Sequence, residues 1–287
     1  MHINRISNFK EYQSHNKTNH EQIKVLRAID YKLNQKVKGL KKFYIDGYSW
    51  TAKSNSKFLV DTLYSNGDEL NLRERLICNK TKLNNRTRGC IHVFETLFKP
   101  QLRDKIYMTE QVSLLAKWMN NKYDNVVGSE YFENDTLMHK IKLLVKYFPI
   151  RIQHQDLTKL NFNSGIFNYV LSFDCFEHIP HYKKALKEVF RVLKPNGKLL
   201  FSVPFDLNSQ SNLIRATISE GEIKHLTTPE YHGNPLSKKG CLSFYTFGWE
   251  LLEELRKTGF KNAYIILFWS EKYCYLGGEQ ILICAEK

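Results

Sequence analysis

The chain has 287 residues, 42% of them hydrophobic, which is enough for one moderate domain with a buried core and an appendage. No apolar run approaches the ~20 residues of a membrane span, and the N-terminus lacks a signal peptide's apolar stretch, so we expect a cytoplasmic protein. The formal net charge of +14 would suit an anionic partner, but no nucleic-acid-binding motif accompanies it, so we attribute it to a Lys-rich composition.

Residues 1–42 are polar and basic and contain one helical periodicity. Within residues 21–40, apolar residues repeat at three- and four-residue spacing: Ile23, Leu26, Ile29 and Leu33. This spacing predicts an amphipathic helix with one buried face. We therefore expect a basic N-terminal helical arm whose charged face contacts solvent.

Residues 43–98 form a second unit, within which two short segments are informative. They read GYSWTA at residues 47–52 and RERLICNKT at residues 73–81. Only the second contains a cysteine, Cys78. We predict a small separate module over residues 43–98.

From residue 99 onward, short apolar runs alternate with helical patterns. The runs at residues 105–108, 125–128 and 151–154 predict strands, and residues 111–120 have the spacing of a helix. Such alternation is typical of an α/β domain built on a largely parallel sheet.

Residues 167–204 contain a strand, a polar loop, a helix, a tight turn and a second strand. The predicted strands cover residues 169–173 and 199–203, and the helix between them covers residues 182–193. A crossover of this kind makes the two strands parallel neighbours. Because ligands bind at the carboxyl ends of such strands, the polar loop DCFEHIP at residues 174–180 is a candidate site.

The last third of the chain begins with a stretch, residues 206–243, that we expect to be irregular. A helix over residues 246–257 and two strands over residues 263–267 and 280–284 follow it. The whole pattern predicts an α/β fold with a doubly wound, mostly parallel, seven-stranded Rossmann-like sheet and a small N-terminal appendage.

The segment 167–204 closely resembles the central region of class I S-adenosylmethionine (SAM)-dependent methyltransferases of type 11. The matching positions are Asp174, Glu177, His178, Ala185, Leu186, Glu188, residues 191–195 and Gly197. The resemblance implies a SAM-dependent methyltransferase domain over residues 99–287. It also implies that residues 206–243 form an insertion on the acceptor side.

The two segments in residues 43–98 resemble a zinc-ribbon module that precedes some methyltransferases and binds zinc through four cysteines. The positions that match those cysteines are Ser49, Ala52, Cys78 and Thr81. A structural zinc site needs four ligands in a tetrahedral array, and three thiolates are absent here. We therefore predict a degenerate module without zinc, and we identify no metal ligands elsewhere in the chain.

The resemblance also implies where the cofactor binds, although the glycine-rich turn usual after the first strand is absent. Thr109, Glu110 and Gln111 stand in its place and match a T-E-Q sequence of the zinc-ribbon-linked subfamily. They either face the cofactor or shape the start of the next helix. Glu130 follows the second strand, where a carboxylate suits the ribose hydroxyls, the alternative being a solvated loop residue.

Further cofactor contacts are implied after the third and fourth strands. Asp156 and Leu157 match the pair that meets the adenine ring in the superfamily. Phe173 and Asp174 are expected at the methionine end, and Phe176 either covers the purine or packs below it.

Two histidines are candidate catalytic bases on the acceptor side. His178 belongs to the E-H pair found across the superfamily, and His232 lies in the segment PEYHGNP at residues 229–235 within the insertion. A structural role remains open for both, because E-H occurs in enzymes with unlike acceptors and the PEYHGNP histidine could pack or cap.

We therefore expect a cytoplasmic SAM-dependent methyltransferase that binds SAM and a small-molecule acceptor such as a carbohydrate or another polar metabolite. The sequence identifies neither the acceptor nor the oligomeric state. Two alternatives stay open. The missing glycine-rich turn would fit a non-catalytic binding or scaffold protein on a decayed methyltransferase fold, and the net charge alone would fit a nucleic-acid methyltransferase.

Overall fold

The computed structural model of the protein describes residues 1–67, 69–132, 151–234 and 237–287. Pro235, at the end of the PEYHGNP segment, lies outside the described residues. The chain divides into two compact units. Unit 1 comprises Met1–Pro100 and Ile265–Leu282, and unit 2 comprises Gln101–Tyr264 and Ile283–Lys287.

The described residues form α-helices and strands that alternate along much of the chain. The helices are α1 (Phe9–Thr18), α2 (His20–Leu40), α3 (Asn85–Phe98), α4 (Leu114–Lys122), α5 (Tyr182–Val192) and α6 (Glu250–Thr258). The strands are β1 (His2–Ile6), β2 (Lys42–Ser49), β3 (Ser54–Asp61), β4 (Ile77–Cys78), β5 (Lys105–Met108), β6 (Asn125–Gly128), β7 (Phe167–Phe173), β8 (Leu193–Ser202), β9 (Leu213–Ile214), β10 (Ala216–Ser219), β11 (Glu222–His225), β12 (Tyr231–Asn234), β13 (Ser237–Leu242), β14 (Tyr245–Thr246), β15 (Asn262–Ser270) and β16 (Tyr275–Glu286). Among these helices, none has the length and apolar character needed to cross a bilayer.

Unit 1 has an apolar cluster between helix α2 and the antiparallel sheet β2–β3–β4. The buried residues of α2 are Leu26, Leu33 and Val37, which share one face as the periodicity predicts. They pack into a cluster with residues of the small sheet and of β16, including Phe58, Val60, Cys78 and Leu276. The apolar face of the predicted N-terminal helix therefore packs into the core of unit 1.

A strand precedes the two helices of the N-terminal segment that we expected to be a helical arm. Strand β1 pairs with β15 in antiparallel register from His2↔Trp269 to Ile6↔Ile265. The ring of His2 also stacks on Trp269 with centroids 4.4 Å apart. The sequence HINRI has no apolar run, so its role as an edge strand could not be read from the sequence.

A buried arginine ties three loop carbonyls of unit 1 to helix α3. The guanidinium of Arg88 donates hydrogen bonds to the backbone oxygens of Tyr273 at 2.7 Å, Cys274 at 3.1 Å and Leu76 at 3.2 Å. It also lies 4.2 Å from the ring centre of Phe58. A guanidinium suits this place because its donors are planar and fan out from one centre.

Unit 2 contains four parallel strands in the order β6–β5–β7–β8. The chain runs from β5 to β6 on one side of β5 and then to β7 on the other, so the strand order reverses at β5. Helix α4 connects β5 to β6, and helix α5 connects β7 to β8. Since such crossovers are right-handed, the reversal puts the two helices on opposite faces, which is the doubly wound Rossmann-like arrangement.

The sheet has seven strands, in the order β1–β15–β16–β8–β7–β5–β6, but the prediction that it is mostly parallel is only partly right. The pairs β5–β6, β5–β7 and β7–β8 are parallel, whereas β8–β16 and β1–β15 are antiparallel. The predicted strand at residues 151–154 is reduced to one bridge, Glu130↔His154. The N-terminal strand β1 supplies the seventh strand instead.

The stretch 206–243, which we expected to be irregular, contains short strands. Strand β9 pairs with β14, β10 with β11, and β12 with β13, all antiparallel. The β9–β14 pairing includes Thr246↔Leu213, so the predicted helix at residues 246–257 begins only at Glu250. Strands this short give no periodic signal in the sequence.

Replacing Arg88 by lysine should destabilise unit 1. The ammonium group of lysine cannot reach all three carbonyls that the planar guanidinium contacts. Each buried carbonyl left without a donor lowers the stability of the folded protein by about 1–3 kcal/mol. We expect Arg88→Lys to lower the free energy of unfolding by about 2–4 kcal/mol in urea titrations followed by circular dichroism. The control Arg86→Lys, whose guanidinium pairs with Glu74 near the surface, should change it by less than about 1 kcal/mol. An equal effect of both variants would contradict this role of Arg88.

Candidate functional site

The carboxyl ends of the parallel strands β5, β6 and β7 lie at one edge of the sheet in unit 2. Met108 pairs with Gly128 on one side and with Leu171 on the other. The loops that follow these strands therefore begin next to one another. This edge, at the point where the strand order reverses, is where open α/β sheets bind ligands.

The loop after β5 is held by the carboxylate of Glu130. One oxygen, Oε1, accepts from the backbone N–H of Gln111 at 2.7 Å and from that of Val112 at 3.0 Å. Burial raises the pKa of Glu130, while these two N–H donors act in the opposite direction. Helix α4 then begins after Ser113, whose Oγ accepts from the N–H of Ala116 at 3.0 Å.

The loop after β5 packs closely against the end of β6, and the glycine that permits this contact belongs to β6. A Cβ atom on Gly128, the last residue of β6, would lie 2.8 Å from the carbonyl oxygen of Glu110 and 3.1 Å from Cα of Gln111. The loop therefore approaches the backbone of β6 closely because residue 128 has no side chain. In the usual glycine-rich turn, the glycines that permit such a close approach belong to the loop itself.

The side chain of Gln111 joins the same loop to the residues after the undescribed segment. Its Nε2 donates to the carbonyl of Arg151 at 2.9 Å, and its Oε1 accepts from the N–H of Gln153 at 2.7 Å. The N–H of Glu130 donates to the carbonyl of Gln153 at 2.8 Å. Gln111 thus shapes this edge through its amide, whether or not it also contacts a ligand.

Asp156 follows the bridge residue His154 and turns the chain. Its Oδ1 accepts from the N–H and the hydroxyl of Thr158, at 2.7 and 2.8 Å. Leu157 between them is buried. The structure thus places the predicted adenine pair directly after the Glu130↔His154 bridge, with Asp156 Oδ1 engaged in a local turn.

Asp174 lies where β7 ends, and its carboxylate is oriented from β8. Oγ of Ser202 donates to Oδ1 of Asp174 at 2.7 Å, and the N–H of Asp174 donates to the carbonyl of Ser202 at 2.9 Å. Thr109 Oγ1 donates across to Ser172 Oγ at 2.9 Å. Hydrogen bonds between neighbouring strands thus fix the predicted residues Thr109 and Asp174.

The two predicted aromatic contacts differ in burial. Phe173, the last residue of β7, is 9% exposed, whereas Phe176 is 1% exposed. The ring of Phe176 packs edge-on against Phe201 with centroids 5.3 Å apart. Phe176 is therefore a core residue packed against β8, whereas Phe173 is slightly more exposed.

The two predicted catalytic histidines lie together, on either side of a carboxylate that sequence reasoning did not select. Oε1 of Glu177 is 3.6 Å from Nε2 of His178 and 3.4 Å from Nδ1 of His232. The two imidazole rings are 5.0 Å apart and nearly perpendicular. The only available signal was that Glu177 is adjacent to His178, since nothing in the sequence pairs it with His232.

Each of these histidines has an outer partner. Nδ1 of His178 donates to the carbonyl of Leu242 at 2.8 Å, and Nε2 of His232 lies 2.9 Å from Oε1 of Glu230. The Glu177 carboxylate raises the pKa of His232, burial opposes the increase, and Glu230 adds to it, so that the pKa is about 9. At neutral pH His232 is therefore protonated unless another cation takes the place of the proton.

The residues compared with zinc ligands form a hydrogen-bonded group in unit 1. Sγ of Cys78 donates to Oγ of Ser49 at 3.5 Å, and the hydroxyls of Ser49, Thr51 and Thr81 follow one another at 3.2 and 3.4 Å. Burial raises the pKa of Cys78, but hydrogen bonds with Thr81, Ser49 and Lys80 outweigh it and lower the pKa to about 7. That this segment is a degenerate zinc ribbon stays a prediction.

A family model matches part of the chain. Residues 112–201 match the family described as a methyltransferase domain, which supports the class I SAM-dependent superfamily. The cofactor of that domain is SAM. The match includes Glu130, Asp156 and Asp174 but excludes unit 1 and the insertion.

Individual proteins are similar to limited parts of the chain. Phosphoethanolamine N-methyltransferase 2 of Caenorhabditis elegans is 38% identical over 48 residues, which are 17% of this chain and 11% of that protein. An uncharacterized protein of Methanocaldococcus jannaschii is 32% identical over 129 residues, which are 40% of this chain and 56% of that protein. The chain thus spans about a tenth of the length of the Caenorhabditis elegans protein and just over half of the length of the Methanocaldococcus jannaschii protein.

Among solved structures, phosphoethanolamine N-methyltransferase 2 of Haemonchus contortus, in complex with phosphomonomethylethanolamine and S-adenosylhomocysteine, is 15% identical. That comparison covers 69% of this chain and 52% of the other, with a TM-score of 0.42. A SAM-dependent methyltransferase from Mesorhizobium loti is 15% identical, with 66% of this chain and 93% of the other covered and a TM-score of 0.41.

The geometry of the Glu130 carboxylate predicts protected amide protons in the loop after β5. Glu130→Ala should speed hydrogen exchange at Gln111 and Val112 by about 10- to 150-fold, because each loses a charge-assisted hydrogen bond of about 1.5–3 kcal/mol. Exchange at Ala116, whose N–H is capped by Ser113, should stay unchanged. Residue-resolved exchange by NMR measures both, and unaltered rates at Gln111 and Val112 would exclude this contact.

Proposed function

We propose that the protein is a SAM-dependent methyltransferase that acts on a small polar acceptor. The observation that supports this most directly is the position of Glu130. It follows β6, the neighbour of β5 at the point where the strand order reverses, and its carboxylate already organises the loop after β5. A carboxylate at the end of the second parallel strand suits hydrogen bonds to the two ribose hydroxyls of the cofactor.

The other cofactor contacts are assigned along the same edge. In this proposal Asp156 and Leu157 meet the adenine ring, Asp156 through its Oδ2 because Oδ1 is bonded to Thr158. Thr109, Glu110 and Gln111 line the edge through the loop that Glu130 holds. Phe173 and Asp174 follow β7 and face the methionine part, while Phe176 supports them from below.

Methyl transfer from SAM requires no covalent bond between the protein and the reactants. The bond between the sulfonium sulfur and the methyl carbon breaks as the acceptor atom bonds that carbon in line, and S-adenosylhomocysteine leaves with the electron pair. The acceptor loses one proton to a base or to solvent. The residues at the edge therefore act by aligning the two reactants and excluding water.

His232 and His178 are the proposed acceptor-side groups. They lie beside Glu177, immediately after the loop that contains Asp174. A base must be unprotonated to accept a proton, and the pKa of His232 is about 9. His232 can thus serve as a base only when something else neutralises Glu177 and Glu230, and otherwise it supplies positive charge.

A small polar acceptor, such as a carbohydrate or another metabolite, is the proposed substrate class. The Caenorhabditis elegans relative is named for a small polar acceptor, although the similarity covers only 48 residues. The insertion, which contains Arg215 paired with Glu230 at 2.9 Å, offers charged groups on this side. A non-catalytic SAM-binding protein and a nucleic-acid methyltransferase are the alternatives.

Two measurements on the purified protein test the proposal. Calorimetric titration with SAM tests cofactor binding. Incubation with SAM and a metabolite extract, with quantification of S-adenosylhomocysteine, tests turnover. SAM binding with extract-dependent turnover supports the proposal. Binding without turnover favours the non-catalytic alternative, turnover only with added nucleic acid favours the other alternative, and no SAM binding rejects the proposal.

Removing the Glu130 carboxylate should weaken SAM binding. Glu130→Ala loses both the ribose contact and the loop contacts, so we expect a Kd increase of about 30- to 150-fold, corresponding to about 2–3 kcal/mol. Glu130→Gln keeps an oxygen for the loop amides and should show a smaller increase. The exposed residue Glu222 provides the control Glu222→Ala, which should leave the Kd unchanged. Full SAM affinity in a folded Glu130→Ala protein would show that the cofactor binds elsewhere.

A further inference from the structure

Three electron-pair donors of unit 2 converge on one point next to the end of β7. They are a carboxylate oxygen of Glu177 and one ring nitrogen each of His178 and His232, and all three lie within 4.8 Å of one another. The first two residues belong to the short 3-10 helix Phe176–His178, and the third belongs to strand β12 in the insertion. The backbone N–H of Phe244 donates to the carbonyl of Glu177 at 2.7 Å, which fixes the helix against the insertion.

The outer hydrogen bonds decide which nitrogen atoms face the centre. A carbonyl oxygen can only accept, so Nδ1 of His178, which contacts Leu242, carries a hydrogen and Nε2 points toward Glu177. A carboxylate also accepts, so Nε2 of His232 carries the hydrogen toward Glu230 and Nδ1 points toward Glu177. In their neutral forms both histidines therefore direct a lone pair at a carboxylate.

Glu177 itself requires a positive partner. Its side chain is 0% exposed, and neither of its carboxylate oxygens has a hydrogen-bond partner among the described residues. An unpaired buried carboxylate is strongly destabilising, because the group loses its hydration without compensation. A proton on a histidine or a bound cation must therefore lie between these three groups.

We propose that Glu177, His178 and His232 bind a divalent first-row transition-metal ion. Two imidazole nitrogens and one carboxylate suit Zn²⁺, Fe²⁺ or Co²⁺, whereas Mg²⁺ and Ca²⁺ prefer oxygen ligands alone. The sequence had suggested no metal ligand, because the two histidines and the carboxylate have no recognised spacing.

The two distances from Glu177 fit a shared metal ion better than direct hydrogen bonds, while all three ligand atoms lie within 4.8 Å of one another. Ligand atoms about 2.0–2.1 Å from a tetrahedral zinc ion lie about 3.3 Å from one another. The two observed separations from Glu177 Oε1 are 3.4 Å to His232 and 3.6 Å to His178. Charge-assisted N–H···O hydrogen bonds are shorter, at about 2.7–2.9 Å.

The outer partners are also those of metal-bound histidines. A ligating imidazole commonly donates its second N–H to a carboxylate or a backbone carbonyl, which orients the ring and makes it a better ligand. Here Glu230 is the partner of His232, and the carbonyl of Leu242 is the partner of His178. Arg215 in turn binds Glu230 at 2.9 Å, so that this outer carboxylate is itself held in place.

Three protein ligands leave at least one coordination position for another molecule. If the chain is the methyltransferase proposed above, that position lies on the acceptor side and would bind an oxygen atom of the acceptor. This second statement rests on the proposed function. Metal binding does not, and it is tested without SAM or an acceptor.

The experiment is a titration of the metal-stripped protein with Zn²⁺ by calorimetry, and with Co²⁺ by visible absorption. We expect one tight site per chain that Mg²⁺ at the same concentration does not occupy. Glu177→Gln, His178→Ala and His232→Ala should each weaken binding by at least about 100-fold, since loss of an outer partner alone costs about 10- to 100-fold. Glu230→Gln, which removes only an outer partner, should fall within that smaller range.

Two substitutions serve as controls. His225→Ala removes an exposed histidine of β11, and Cys78→Ser removes the thiol of the segment that resembles a zinc ribbon. Both should retain the tight site. Circular dichroism and thermal unfolding in a chelator establish that each variant folds, and Glu177→Gln, which removes a buried charge without changing size, keeps the test valid if a histidine variant does not.

Three titration results would overturn the proposal. They are no tight Zn²⁺ site in the stripped protein, equal binding by Glu177→Gln and the unaltered chain, or loss of the site only in Cys78→Ser. Nitrogen NMR shifts of His232 that report an imidazolium in the presence of saturating Zn²⁺ would equally reject the metal and leave a proton as the positive partner. A failure of SAM binding would reject the proposed function without affecting any of these outcomes.

Discussion

The carboxylate of Glu130 is the contact on which the arrangement of the candidate site depends. The loop after β5 has no glycine, and its amide groups need acceptors that its own backbone does not supply. Glu130 accepts from two of them, and Gly128 lets the loop approach the end of β6. The loop is therefore held by a side chain that follows the neighbouring strand. A glycine-rich turn would instead be held by its own backbone.

Two buried carboxylates near the ends of the parallel strands differ in how their charge is balanced. Glu130 receives backbone N–H donors, which stabilise the charged form against the cost of burial. Glu177 has no hydrogen-bond donor among the described residues and faces two imidazoles instead. The first arrangement needs no further partner, because the two backbone donors balance the carboxylate. The second requires a positive partner between the three groups, either a protonated imidazole or a bound metal ion.

Unit 1 is stabilised by means that do not require a metal. The thiol of Cys78 and the hydroxyls of Ser49, Thr51 and Thr81 form a small group joined by hydrogen bonds. The apolar cluster around Phe58 and the three carbonyl contacts of Arg88 hold the surrounding elements together. These contacts bury apolar side chains and satisfy polar groups within unit 1.

Local patterns in the sequence determined the strands Lys105–Met108 and Asn125–Gly128, helix α5, and the polar residues that end the parallel strands. Periodicity and turn chemistry act over a few neighbouring residues, so these features could be predicted. Only the tertiary structure decided that β1 is the seventh strand, that Glu130 holds the loop after β5, and that Glu177 lies between His178 and His232. These contacts join residues far apart in the chain, and their pairing depends on how distant elements pack, which no local pattern encodes.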